Sequence, residues 1–161
     1  MLAILWIVLV TFIPTLELRA SIPWGILIEE RDPLLVFVVA VTANFLLGLA
    51  LYPLMDVIMK VMQKIPFVHR IWSKYVERTR RKIHAGVEKY GEWAVGVFIG
   101  IPLPGTGVYS GALAAYLIGL PFKKFIIADL IGVLIAGVLV TFFCLTGNEF
   151  FLWLFTKPVQ G

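Results

Sequence analysis

Charge is scarce in this chain of 161 residues: 15% of it is Asp, Glu, Lys or Arg, against about a quarter in soluble domains. Together with a hydrophobic content of 60%, this excludes both a water-soluble globule and a disordered chain. There is a single cysteine, Cys144, inside an apolar run, so an intrachain disulfide framework and a multi-thiolate zinc or iron–sulfur centre are excluded. The two histidines, His69 and His84, stand among basic and aromatic residues with no second ligand set, and no metal or cofactor is expected. The sequence around Ser110 reads Gly107-Val108-Tyr109-Ser110-Gly111, which lacks the Gly-x-Ser-Gly spacing of an intramembrane serine protease. No histidine lies in an apolar segment to act as its base, and no Gly-Lys-Ser/Thr phosphate loop occurs. The chain is not expected to be an enzyme.

Long apolar stretches are what the sequence does have. Residues 34–55 are 22 consecutive uncharged residues, enough to cross a hydrocarbon core of about 30 Å as a helix. Residues 122–147 form a second expected span, interrupted by Asp129. Two further stretches are apolar but broken. Residues 1–28 contain Pro14 and Pro23 with Glu17 and Arg19 between them, and residues 93–120 contain Pro102-Leu103-Pro104-Gly105-Thr106-Gly107. Proline removes a backbone donor and clashes one turn back, so neither stretch is expected to stay helical throughout. Two readings compete for each, a kinked span or a helical hairpin that turns at the midplane and leaves on the side it entered, and the distribution of basic residues favours the hairpin. Non-helical backbone at that depth is tolerated only where protein or a water-filled cavity covers it.

Residues 56–92 carry nine of the fourteen basic residues (Lys60, Lys64, Arg70, Lys74, Arg78, Arg80, Arg81, Lys82 and Lys89). The positive-inside rule places this connector in the cytoplasm, and its apolar stripe predicts amphipathic helices lying on the anionic inner leaflet. Beside a bilayer the anion for these residues is a lipid headgroup, and no nucleic acid partner is expected. If 93–120 is a hairpin, Lys123 and Lys124 fall on that same side, while Glu29-Glu30-Arg31-Asp32 fall opposite. An offset of 88 aligns Ile13-Pro14 with Ile101-Pro102, Pro33 with Pro121, Phe37 with Phe125 and Ala40 with Ala128. The expected fold is therefore all-α and integral to the cell membrane: an inverted repeat of hairpin plus span, joined by the connector, with a C-terminal tail at 148–161.

The polar residues inside these stretches are the candidate site. An ionisable group at the bilayer centre costs about 2.5–3.5 kcal/mol, so Glu17, Arg19 and Asp129 are expected to face protein or water. Asp129 has two open placements, the cavity or the cytoplasmic interface. Thr106 is expected to cap the helix that follows it, and the amides beyond Gly105 and Gly107 to favour an anionic group. Tyr109 and Ser110 add hydroxyls, and Asn44 lies mid-span. Gly107, Gly111, Ala115 and Gly119 form a small-residue ridge suited to close packing.

The motif Leu16-Glu17-Leu18-Arg19-Ala20-Ser21-Ile22-Pro23, with Pro102-Leu103-Pro104-Gly105-Thr106-Gly107-Val108-Tyr109-Ser110-Gly111, resembles the small multidrug export protein family over nearly the whole chain. That family in turn resembles the DedA (SNARE-associated, VTT) superfamily. The resemblance implies two inverted re-entrant hairpins and proton-dependent movement of lipids or isoprenoid phosphates. Glu17 matches the acidic residue of the superfamily's first hairpin, and Pro104-Gly105 its second turn. The arginines that flank that Pro-Gly in the superfamily are missing here, which implies either that Arg19 replaces them from the other hairpin or that the substrate differs. The expected activity is a small secondary transporter or lipid translocase, proton- or cation-coupled, acting on an amphipathic or anionic-lipid-like substrate. The alternative is a non-transporting membrane-organising or interaction protein. With so little chain to cover the breaks, a homodimer or larger homo-oligomer is expected.

Overall fold

The computed structural model describes residues 2–14, 16–64, 74, 77, 78, 92–102 and 106–147. The expected connector between 65 and 91, apart from Lys74, Glu77 and Arg78, lies outside the described residues, as do Leu103, Pro104, Gly105 and the tail from 148. Among the described residues all regular structure is helical: α1 (Leu2–Thr11), α2 (Glu17–Pro23), α3 (Pro33–Lys64), α4 (Glu92–Gly100), α5 (Val108–Leu117) and α6 (Phe122–Thr146).

Among the described residues, two helices are long and apolar enough to cross a membrane, over Pro33–Val61 and Phe122–Thr146. The start of α3 is set locally: Asp32 Oδ1 accepts the Leu35 amide at 2.9 Å, and Pro33 takes the first helical position, where its missing N–H costs nothing. At the other end α3 continues past residue 55 to Lys64, so the first nine residues expected in the connector belong to the span helix. Nothing in Asp56-Val57-Ile58-Met59-Lys60 breaks a helix, and charge marks only where it leaves the apolar layer. The helix α6 matches its expected range closely.

Of the two prolines expected to break 1–28, Pro14 lies at a break and Pro23 does not. The chain leaves helical geometry between α1 and α2, around Pro14, and Glu17 enters α2 with φ +50°. Pro23 does not break the segment. It sits inside a helix that continues as a π-helical turn, Trp24–Ile28, where the Glu29 amide bonds the Trp24 carbonyl five residues back at 3.0 Å. The wider turn absorbs the proline by re-pairing the backbone groups around it. Across the break the chain folds back: the Thr11 and Ser21 hydroxyls meet at 2.7 Å, and Gly25 lies against Ile7. The second apolar stretch does the same between α4 and α5, where Gly111 faces Ile99.

Contacts fix the directions. Gly25 is held between Ile7 and Val36, and Phe12 shares a groove with Thr42, Ala43 and Leu46, so α1 and α3 run in the same sense. Gly96 lies on Ala128 and Gly100 on Ile135, so α4 and α6 also run together. The two spans oppose each other, with Gly137 against Val41 and Tyr52 stacked on Phe125 at 4.7 Å. The core between them is built from Val36, Ala40, Phe125, Val133 and Ala136, with Leu18, Ile22 and Val108 from the broken segments.

Of the small-residue ridge, Gly111 and Ala115 pack as expected, but Gly119 lies beyond the end of α5. It has φ +68°, with its amide on Tyr116 and the Leu120 amide on Ala115 at 2.9 Å, which is a Schellman closure. A Cβ on Gly119 would meet nothing within 4 Å, so only the backbone resists substitution. Gly119→Ala is expected to cost about 1 kcal/mol and leave activity intact, checked by thermal melting in detergent.

Candidate functional site

Every helix end leaves backbone groups without intrahelical partners: amides with partial positive charge at the start, carbonyls with partial negative charge at the finish. A break within a helical segment exposes one of each, and in lipid neither can be left bare. In the second broken segment these are the carbonyls at the end of α4 and the amides at the start of α5. Both are satisfied from the first broken segment, by two residues of α2 in adjacent positions around Leu18.

Glu17 takes the amide end. Its Oε2 accepts the Val108 amide at 3.0 Å and its Oε1 the Tyr109 amide at 3.3 Å, with the side chain 2% exposed. Arg19 takes the carbonyl end. One guanidinium nitrogen bonds the Thr106 carbonyl; the other reaches the carbonyls of Ile101 at 2.9 Å and Ile99 at 3.2 Å and the Thr106 hydroxyl at 2.9 Å. The forked donor set of arginine suits several convergent oxygens as a single ammonium does not. A negative group on the amide end and a positive one on the carbonyl end match the sense of the helix dipoles. Tyr109 adds a third tie, donating to the Phe12 carbonyl at 2.6 Å from its phenol, so each break is bonded to the other.

Thr106 does not cap α5 as expected. Its hydroxyl donates to the Ile101 carbonyl at 2.6 Å and accepts from Arg19, closing the turn upon itself, while Gly107 holds the N-cap position without a side-chain bond. The anion expected at these amides is supplied by the protein's own Glu17. Gly107 is obligatory at this point: φ is +120°, and a Cβ there would lie 2.4 Å from Glu17 Oε2. Ser110, buried, bonds the Gly107 carbonyl at 3.3 Å. Arg19 thus reaches the second turn, the position for which the sequence offers no local arginine.

Asp129 faces the protein interior: it is 0% exposed and lies against Gly48 of α3. A Cβ on Gly48 would come within 2.1 Å of Asp129 Oδ2, so the carboxyl occupies the space that the glycine leaves. Neither carboxyl oxygen has a hydrogen-bond partner. Asn44, 1% exposed and one turn from Gly48 on the same helix, has an unpartnered Oδ1.

Sequence reading missed Gly48, although it is the lone glycine of the stretch 34–55. It also missed Tyr52, whose phenol bonds the Leu120 carbonyl and whose ring stacks on Phe122 and Phe125, and the Tyr116–Asp56 bond at 2.6 Å. These fasten α3 to the turn between α5 and α6. An apolar groove of about 420 Å³ opens between α1 and α3, lined by Val8, Phe12, Val38, Val39, Thr42, Ala43 and Leu46.

No curated protein and no solved structure matches the chain. The model of the family described as "Putative small multi-drug export protein" matches residues 17–139, a range that opens on Glu17 and takes in Arg19, both turns of the second break, Asn44 and Asp129. The chain belongs to that family of small export proteins.

Proposed function

We propose that this protein is a small secondary transporter or lipid translocase of the cytoplasmic membrane, driven by a proton or another small cation. It moves an amphipathic or anionic-lipid-like substrate past the point where the two broken segments meet. The observation that carries this reading is Asp129: a carboxyl group sealed between two membrane-length helices with no hydrogen-bond partner for either oxygen. Such a group costs several kcal/mol to place there, where an apolar side chain would fill the same space beside Gly48, and intramembrane carboxyls of this kind belong to ion pathways. The family description, an exporter, agrees with it.

In this reading both broken segments are re-entrant hairpins of opposite orientation, related to the DedA arrangement. Supporting it are the matched directions of α1 with α3 and of α4 with α6, the opposition of the two spans, and the meeting of the two breaks. The basic connector 56–92 faces the cytoplasm, and the groove beside α1 accepts the apolar part of a substrate or lipid. The functional unit is a homodimer or larger homo-oligomer, which covers the apolar surface left by so few helices.

Two measurements test this. In proteoliposomes carrying a headgroup-labelled lipid or a pH gradient, Asp129→Asn should slow driven flux by about a hundredfold, the scale of losing a proton-transferring group. Flux equal to the parent would remove Asp129 from the pathway. Single cysteines at 30, 70 and 123 in a Cys144→Ser background should label with 70 and 123 on one face and 30 on the other. Labelling of 123 from the same face as 30 would overturn the hairpin topology.

A second reading has one observation in its favour: Glu17 and Arg19, the charges most suggestive of a binding site, are both engaged by backbone. A membrane-organising protein would need them only for that. Liposomes in which no labelled lipid moves and no gradient collapses would favour it.

A further inference from the structure

Polar side chains lie within the apolar bundle in two places. Around the breaks, amides meet Glu17, Arg19 meets carbonyls and the Tyr109 phenol meets Phe12. Between α3 and α6, buried oxygens stand without partners. Asp129 Oδ1 and Oδ2 and Asn44 Oδ1 are three buried acceptors without a donor. A buried acceptor left bare costs about 1–3 kcal/mol, so this place is short of hydrogen. The deficit is of the kind one proton fills, because a neutral carboxyl group becomes a donor as well as an acceptor.

The alternatives fit less well. Hard divalent cations gather six or more oxygen ligands, and only three side-chain oxygens are available here, flanked by helical carbonyls already used in α3 and α6. A protonated amine of substrate size would need room that the carboxyl and the Gly48 backbone fill between them. We propose that Asp129, facing the turn of α3 that carries Asn44 and Gly48, is a buried proton-binding site separate from the clasp of Glu17 and Arg19, and that the clasp is structural. The assignment to a coupling step rests on the transport reading; the proton chemistry does not.

The charged and titratable groups brought by the elements packed on α6 are few. The helix α2 carries Glu17 and Arg19, α3 carries Tyr52, Asp56, Lys60 and Lys64, α5 carries Tyr109 and Tyr116, and α4 carries Glu92 at its start and none after it. Arg19 is committed to the carbonyls of the second turn and Glu17 to its amides.

The test is infrared difference spectroscopy of the full-length protein in lipid, titrated with bulk pH. Above the pH range in which exposed carboxyls ionise, the parent should still show the carbonyl stretch of a neutral carboxylic acid, shifted by deuterium exchange and lost only as pH rises further. That band should be absent in Asp129→Asn and present in Glu17→Gln. In Asn44→Ala, which leaves the carboxyl in place and so serves if Asp129→Asn does not fold, the frequency should move. A band in that range that survives Asp129→Asn, a frequency unmoved by Asn44→Ala, or no neutral-acid band in that range overturns the proposal. Parallel flux assays on the same preparations separate the two ideas. A titrating band without transport keeps the site and removes the carrier, and transport without the band does the reverse.

Discussion

Glu17→Ala is expected to lower stability by about 2–5 kcal/mol, seen as a fall in the detergent melting temperature and a loss of monodisperse protein. The magnitude follows from what the substitution leaves behind. Two amides, of Val108 and Tyr109, lose a charged acceptor in a buried place, and each stranded donor costs about 1–3 kcal/mol. Glu17→Gln keeps an acceptor and should be milder. Gly107→Ala should resemble Glu17→Ala, since its methyl group would strike the carboxylate and its backbone geometry is essentially reserved for glycine. The two substitutions should be less than additive: once Glu17 is truncated the methyl has nothing to strike, and only the backbone cost remains. Full additivity, or a Glu17→Ala protein that melts with the parent, would show that the carboxylate does not join the breaks.

The second large effect is expected at Arg19. Arg19→Lys should be nearly as damaging as Arg19→Ala, with a loss of about 2–4 kcal/mol, although the charge is kept. The carbonyls of Ile99, Ile101 and Thr106 and the Thr106 hydroxyl surround two guanidinium nitrogens, and a single ammonium cannot reach them together. The unpaired carbonyls would lie at the end of α4, where no water of the bulk phase replaces the lost donor. Hydrogen exchange over residues 99–111 should accelerate in both variants. Full rescue by lysine would mean that charge alone matters there, and the fork geometry does not.

Much of this architecture is legible in the sequence. The two spans follow from length and the absence of charge, and the two breaks from Pro14 and Pro102. Pro23 was misleading because a proline's local effect depends on whether the helix can widen around it, and the π-helical turn that does so has no composition of its own. The range of α3 was short by nine residues because charge marks the edge of the apolar layer and not the end of a helix. The facing of Asp129 was illegible for another reason: α6 is apolar all round, so its pattern carries no rotational phase. The pairing of Glu17 with the second break was beyond sequence reading as well. Charged pairs at i, i+2 normally diverge, and here they diverge onto the two ends of one interrupted helix.

The clasp also sets an order of events during synthesis. Val108 lies 91 residues after Glu17, so at about 5–20 residues per second the carboxylate waits on the order of 5–20 s before its amides exist. For that interval the nascent first half holds an acid and a base with no stable place in hydrocarbon, and it must shelter them at the interface or against the insertion machinery. The first half, expressed alone, should therefore fail to settle in the bilayer until the second half is supplied.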